Sequence, residues 1–450
     1  MALTGRMQFD MRSESNNSNA HSEVNDQNRH TAGMADQFEL RRARIGVKGK
    51  MFEHFDYEVI GNLVGSNTNT VDVAYVNAGM YKQAQLKLGQ FKQPFNLEEY
   101  GTSSNNIDFM ERSYINQITP GKKTGAMIHG VPATGLTYAA SIYQQNNFGE
   151  VDNESTGKGF AGRATVNFAE LAGWGDSVFH VGAAGFDSEY GLLPTASSKG
   201  TSPTCTANTT TGVVTCTEGA ATNGTVVGFR SAGRGLANAY RVQIGGLGVY
   251  PGANQPSNSA ATVENKAYGL ELAMAKGPFK IQGEFSDQVF NANQAAVNSY
   301  VHADVKAYYV EALVMLTGEN YANWYKNGAW SGIKPTSNFD LETGKGKGAW
   351  ELGVRFDEYD VSDVAAYSGY TSGSNIAVAG SSRIQGSKGT DNGGGAKTYT
   401  VGLKWQLTPN MRVLANYAHT KFSNSFTAVD TSLTNITKED LLMVRSQFSF

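Results

Sequence analysis

The 450-residue chain carries a formal charge of −3, with 17% charged residues, 52 glycines, 11% aromatics and only 10 prolines. A balance so near neutral offers no basic face for nucleic acid. No window approaches the roughly 18 consecutive apolar residues of a membrane-spanning helix.

Apolar residues instead fall at every second position, the pattern by which a β-barrel crosses a membrane at low mean hydropathy. The start, MALTGRMQFD, lacks the basic-then-apolar order of a signal peptide and already reads as a strand, as a mature exported chain would. In GRMQFDMR, Met7, Phe9 and Met11 face one way, and Arg6, Gln8, Asp10 and Arg12 the other. In LRRARIGVKGK, Ala43, Ile45 and Val47 oppose Arg42, Arg44 and Lys48; in QAQLKLGQFKQPFNLEEY, Leu86 and Leu88 oppose Gln85 and Lys87. GFAGRATVNF, AWELGVRFDEY and TYTVGLKWQL repeat the alternation further along the chain. Such segments begin near positions 3, 37, 54, 71, 82, 124, 134, 158, 177, 265, 278, 302, 347, 397, 411 and 439. Sixteen is an even number, as a closed single-chain bacterial barrel prefers.

The joints alternate in length. MYKQ (80–83), VPATG (131–135), AKGPF (275–279) and LTPNM (407–411) are tight, whereas 13–36, 92–123, 188–264, 361–396 and 423–438 are long and polar. Long loops at one end and short turns at the other mark an outer-membrane barrel. One joint, 318–346, falls at the short-turn end yet is long; either it is a structured turn or the strand count slips there. Cys205 and Cys216 flank TANTTTGVVT in the longest loop. A disulfide-tied loop fits an oxidising compartment, with two free thiols in a flexible loop as the plainer alternative. The chain ends on Phe450, in a strand whose Leu442, Val444 and Phe448 share its face. The expected fold is therefore all-β: one domain over 1–450, a 16-stranded antiparallel transmembrane barrel.

Several stretches resemble the phosphate-selective porins O and P of Gram-negative bacteria. They are LTGRMQFD, FELRRARIGVKG, LKLGQFKQPFNLE, TSSNNIDFMERS, YGLELAMAKGPF, AYYVEALVMLTGE, GAWELGVRFDEYD and VGLKWQLTPNMRVLANYAH, in that order. The resemblance implies a homotrimer in the bacterial outer membrane, with anions diffusing past a constriction made by an inward-folded third loop. That loop is 92–123; Pro94 cannot donate to a ladder and stops the strand before it.

By the same resemblance, Arg6, Arg41 and Arg42 fall where the family places lumen arginines, and Arg112 matches a loop arginine. Lys87 matches a lysine of the phosphate site and Asp72 its acidic partner. Arg230 and Arg234 resemble a thinned arginine-rich extracellular stretch. Two positions depart from the family pattern, because Asp56 and Glu99 stand where the phosphate porins carry lysine. Within 92–123, Lys92, Arg112, Lys122 and Lys123 balance Glu98, Glu99, Asp108 and Glu111, so the loop is formally neutral.

Plainer roles stand beside these. Arg41, Arg42 and Arg44 could solvate a lumen wall or pair with Glu39 and Asp56. Arg41 and Arg42 cannot both point inward without a bulge or a strand end. Lys122 and Lys123 could be ordinary loop-base charges, and Glu98 and Glu99 a latch to wall arginines. No nucleophile-and-base set and no metal spacing stands out, so no enzyme, cofactor or metal is expected. The expected function is passive diffusion of small hydrophilic solutes with a preference for anions of the phosphate or polyphosphate type. A general, weakly selective porin is the alternative, and a barrel enzyme or surface-binding protein the second.

Overall fold

The computed structural model describes residues 1–16, 37–64, 71–145, 157–192, 204–207, 214–217, 224–235, 239–244, 261–294, 299–367, 376–378, 393–426 and 436–450. The wall strands are β1 (Ala2–Asn16), β2 (Gln37–Met51), β3 (Phe55–Asn62), β4 (Val71–Tyr81), β5 (Ala84–Lys92), β6 (Lys122–Ala133), β7 (Leu136–Gln144) and β8 (Lys158–Asn167). They continue as β9 (Ser177–Leu192), β10 (Ala261–Lys276), β11 (Phe279–Gln294), β12 (Ser299–Met315), β13 (Ala349–Tyr367), β14 (Gly394–Thr408), β15 (Met411–Phe426) and β16 (Ile436–Ser449). Each pairs antiparallel with its chain neighbours, and β1 also pairs with β16, so the sheet closes without a free edge. Phe450 completes the seam: its amide and carbonyl exchange bonds with Gly5 at 3.1 and 3.0 Å.

The alternation read from the sequence becomes an inside and an outside. On β1, Leu3 and Met7 are 60% and 51% exposed on the outer face, whereas Gln8 and Asp10 are fully buried. Turns at 82–83, 134–135, 277–278 and 409–410 are two residues long. Gly135 and Gly277 there adopt φ of 72° and 54°, which a Cβ would disfavour. At this end Trp350 stacks on Trp405 at 5.0 Å, as interfacial aromatics do.

The long joint after β12 is a structured turn, and the strand count is unaffected by it. It holds a 3₁₀ turn (Tyr321–Trp324) and a small hairpin (Tyr325–Lys326 with Ala329–Trp330). The hairpin enters the barrel and meets the third loop, where Trp330 N donates to Gly101 O at 3.0 Å. In the connection between β9 and β10, Gly224–Phe229 pairs with Tyr240–Ile244, which pairs in turn with Ile376–Val378 from another connection. This small sheet seats on the lumen contents, with Phe229 stacked on Tyr359 at 4.0 Å and both edge-on to Tyr114 of the third loop. Cys205 lies opposite Cys216 in a two-stranded ladder. Their side chains lie outside the described residues, as does most of 188–264.

The wall is uneven in height. Strands β3, β5 and β7 have 8, 9 and 9 residues, whereas β9 to β13 have 16 to 19. Behind the tall wall the lumen is packed: Leu97 and Phe109 of the third loop join Tyr321, Trp324 and Trp330 in one buried apolar cluster. The open space is left against the low wall.

Candidate permeation site

The third loop, residues 93–121, leaves the wall at Pro94 and is pinned at its base by Gln93 N donating to Gly121 O at 2.9 Å. Its first turn (Asn96–Tyr100) aims the amides of Leu97 and Glu98 at the Glu284 carboxylate of β11, at 2.7 and 2.8 Å. Those amides have no partner within the turn itself, so a wall acid satisfies them.

All four acids of the loop are sequestered. Glu98 accepts from Ser113 N and Oγ and pairs with Arg355 of β13 at 3.4 Å. Asp108 sits between Lys280 of β11 and Lys404 of β14, at 2.6 and 3.2 Å. Glu111 meets Arg445 of β16 at 2.6 Å and Arg41 at 3.0 Å, with Arg12 and Arg42 at 3.7 and 4.0 Å. Glu99 pairs with Arg112 at 3.1 Å and Lys92 at 3.7 Å and accepts from Asn116. Burial alone would raise the Glu99 carboxyl; Arg112, Lys92 and Lys122 outweigh it and hold the group at about 2. Burial is likewise overcome at Asp108 by Lys280 and Lys404, and at Glu111 by Arg445, Arg41 and Arg42, so both sit well below the usual carboxylate range. Counted over 92–123 the segment is neutral, but its acids are turned into ion pairs.

Between the loop and the low wall lies a cavity of about 500 Å³. Arg6, Arg44, Lys48, Lys87, Lys92 and Lys122 line it, against the two acids Glu58 and Asp72. The third loop contributes Tyr100, Ser103, Ser104 and Asn105, and the inner hairpin contributes Asn327 and Ala329. Asp72 is shared by Arg44 (2.6 Å) and Lys122. Arg6 donates to Ser104 Oγ and Asn105 Oδ1, both at 2.6 Å, fixing the loop's edge to β1. The Lys87 ammonium lies 4.4 Å from the Tyr75 ring centroid, a cation–π contact rather than an ion pair. Among the described residues Arg6, Lys48 and Lys87 have no carboxylate within ion-pair distance.

The remaining sequence candidates lie elsewhere. Arg41 and Arg42 both reach Glu111 because the β1–β2 register skips a residue: Gln8 faces Arg42 and Phe9 faces Leu40, which leaves Arg41 as a bulge. Arg112 braces the loop internally, donating to the Glu98 and Thr102 carbonyls. Lys123 donates to the Gln145 carbonyl at 2.7 Å and does not line the cavity. Arg230 and Arg234 sit over the mouth: Arg230 N donates to Gln117 of the third loop, and Arg234 pairs with Glu39 at 3.4 Å.

Neither Asp56 nor Glu99 puts a carboxylate into the cavity lining. Asp56 pairs with Lys50 at 3.5 Å, and Glu99 is buried in the loop. A lysine at 99 would add a fourth cation beside Arg112, Lys92 and Lys122, so Glu99→Gln is the milder probe of that cluster. Lys48 and Glu58 are cavity residues that motif matching passed over. Their signal was parity, since both alternate with outward apolar neighbours. The Asn327–Gly328 pair signals a tight turn, but nothing in the sequence carries that turn into the barrel.

A closed barrel with an apolar outside and a polar lumen narrowed by loops defines an outer-membrane porin. The family model for phosphate-selective porins O and P matches residues 15–208 and 250–450; the chain belongs to this family and to the bacterial outer membrane. Porin O of Pseudomonas aeruginosa is 26% identical over 405 residues, covering 86% of this chain and 77% of that protein. Among solved structures, a loop L8 deletion mutant of OmpT, an outer membrane protein of Vibrio cholerae, superposes with a TM-score of 0.49 at 9% identity. It covers 100% of this chain and 98% of its own. An anion-selective porin from Comamonas acidovorans gives 0.46 at 10% identity, over 100% and 99% of the two chains.

Proposed function

We propose that the chain is a passive diffusion channel preferring small hydrated anions, without catalytic turnover, and that the cavity against the low wall is its eyelet. The carrying observation is the lining: six cations and two acids, a formal surplus of four positive charges. In a narrow passage with low-dielectric walls such charges act more strongly than in bulk water, attracting anions and repelling cations. The Ser103 and Ser104 hydroxyls beside Arg6 and Lys92 add donors suited to oxyanions such as phosphate. The charge shared at Asp72 and the acid Glu58 favour the second reading, a channel for anions in general without a tight phosphate site.

Phosphate added to chloride-carrying channels in planar bilayers separates the two. We expect ohmic conductance and block only at millimolar phosphate. Block at micromolar phosphate would establish the tight site, and an absence of conductance from folded protein would overturn the channel reading.

We also propose a homotrimer with the low wall facing neighbouring copies. Strands of 8 or 9 residues barely reach the length a tilted strand needs to span the hydrocarbon. A protein neighbour there would spare the bilayer from thinning. The detergent-solubilised mass should be three chains, and a monomer would refute the arrangement.

A further inference from the structure

We infer that Asn327, at the tip of the inner hairpin formed by Tyr325–Lys326 and Ala329–Trp330, helps set the pore's charge selectivity. This rests on the channel reading above and extends it to a segment from the opposite end of the barrel. The hairpin is fixed in place by four contacts. Trp330 forms a parallel bridge with Thr102 of the third loop, and its indole N–H donates to Gln282 Oε1 at 2.7 Å. The Lys280 ammonium lies 4.4 Å from the Trp330 ring centroid. The Gly328 carbonyl accepts from Arg163 Nη2 at 3.0 Å, and Arg163 is itself locked by a two-bond contact with Glu271.

The tip is a tight two-residue turn with left-handed φ at both positions, 51° at Asn327 and 72° at Gly328. Asparagine followed by glycine is the favoured pair for that geometry. A Cβ on Gly328 would lie 2.9 and 3.0 Å from the Thr165 and Thr137 hydroxyls, so the turn is pressed against the wall on one side. On the other side Asn327 is exposed and lines the cavity whose opposite surface carries Arg6, Lys48 and Lys87. Because Trp330 bonds to Gly101, the hairpin also backs the loop segment that supplies Ser103 to Asn105. A neutral amide thus stands where a charge would face every permeating ion.

The test places a charge at that point. In a Cys205→Ser, Cys216→Ser background, Asn327→Cys is treated in planar bilayers with methanethiosulfonate reagents. The thiolate forms a mixed disulfide with the reagent's thiol sulfur and releases methanesulfinate. A sulfonatoethyl adduct should lower the chloride-to-potassium permeability ratio several-fold, and a trimethylammonioethyl adduct should raise it. Asn327→Asp, which suits the left-handed turn, should shift the ratio in the same direction as the sulfonate. Complete modification by mass spectrometry with an unchanged reversal potential would overturn the inference, whereas the unmodified channel's own selectivity tests the channel reading separately.

Discussion

Replacing Arg6, Lys48 and Lys87 together by glutamate is expected to turn an anion-preferring channel into a cation-preferring one. These cavity cations have no ion-pair partner among the described residues, so the change strands no buried carboxylate. The lining would go from a surplus of four positive charges to a surplus of two negative. A unit charge pair at 4 Å is worth about 1 kcal/mol even in bulk water, and a factor of ten in permeability takes about 1.4 kcal/mol. Six units of change, discounted for distance and salt, should swing the chloride-to-potassium ratio on the order of a hundredfold. The swing should shrink in 1 M salt, where the Debye length falls to about 3 Å. Lys123→Glu, a loop-base charge bound to Gln145 O away from the cavity, should move the ratio less than about twofold. A comparable swing from Lys123→Glu would mean the path has been placed on the wrong side of the loop.

The second large effect is on stability. Glu271→Gln leaves the buried Arg163 guanidinium without the carboxylate it meets at 2.8 and 2.7 Å, and takes an acceptor from His180. Both partners are essentially sealed from solvent, at 3% and 0% side-chain exposure. Removing one partner of such a pair costs about 3–5 kcal/mol, because the other charge stays buried. The temperature at which the folded gel band converts to the unfolded one should therefore fall markedly. The hairpin should also loosen at Gly328, giving a noisier open channel. Replacing both partners by apolar residues, Arg163→Met with Glu271→Leu, should restore most of the stability. If the double variant is as unstable as Glu271→Gln, packing rather than the stranded charge accounts for the loss.

Much of the wall was legible because a half-buried strand has a period of two and nothing blurs it. The wall strands lie within a few residues of the expected positions, and the loop after Pro94 turns inward. Even the conflict at Arg41 and Arg42 was legible as a demand for a bulge, which the register supplies. What the sequence hid was set by long-range contact. The segment 316–348 has no periodicity, and its hairpin is held by Gly101, Gln282 and Arg163, each from a different part of the chain.

The electrostatics were obscured for a related reason. Counting charges in 92–123 gives zero, yet the count ignores which way they point. Asp108 and Glu111 turn to the packed side and meet wall lysines and arginines. Lys92 and Lys122 stay on the cavity, joined there by wall cations outside the loop. A neutral loop therefore borders a positive passage. Glu99, which stood against an anion path in the sequence, is an internal brace on Arg112.

The most direct test of this account is the reversal potential of the unmodified channel across a KCl gradient. An anion-preferring channel should give a potential displaced toward the chloride equilibrium value. A potential displaced toward the potassium value would contradict it, because the lining that faces the ions would then be negative.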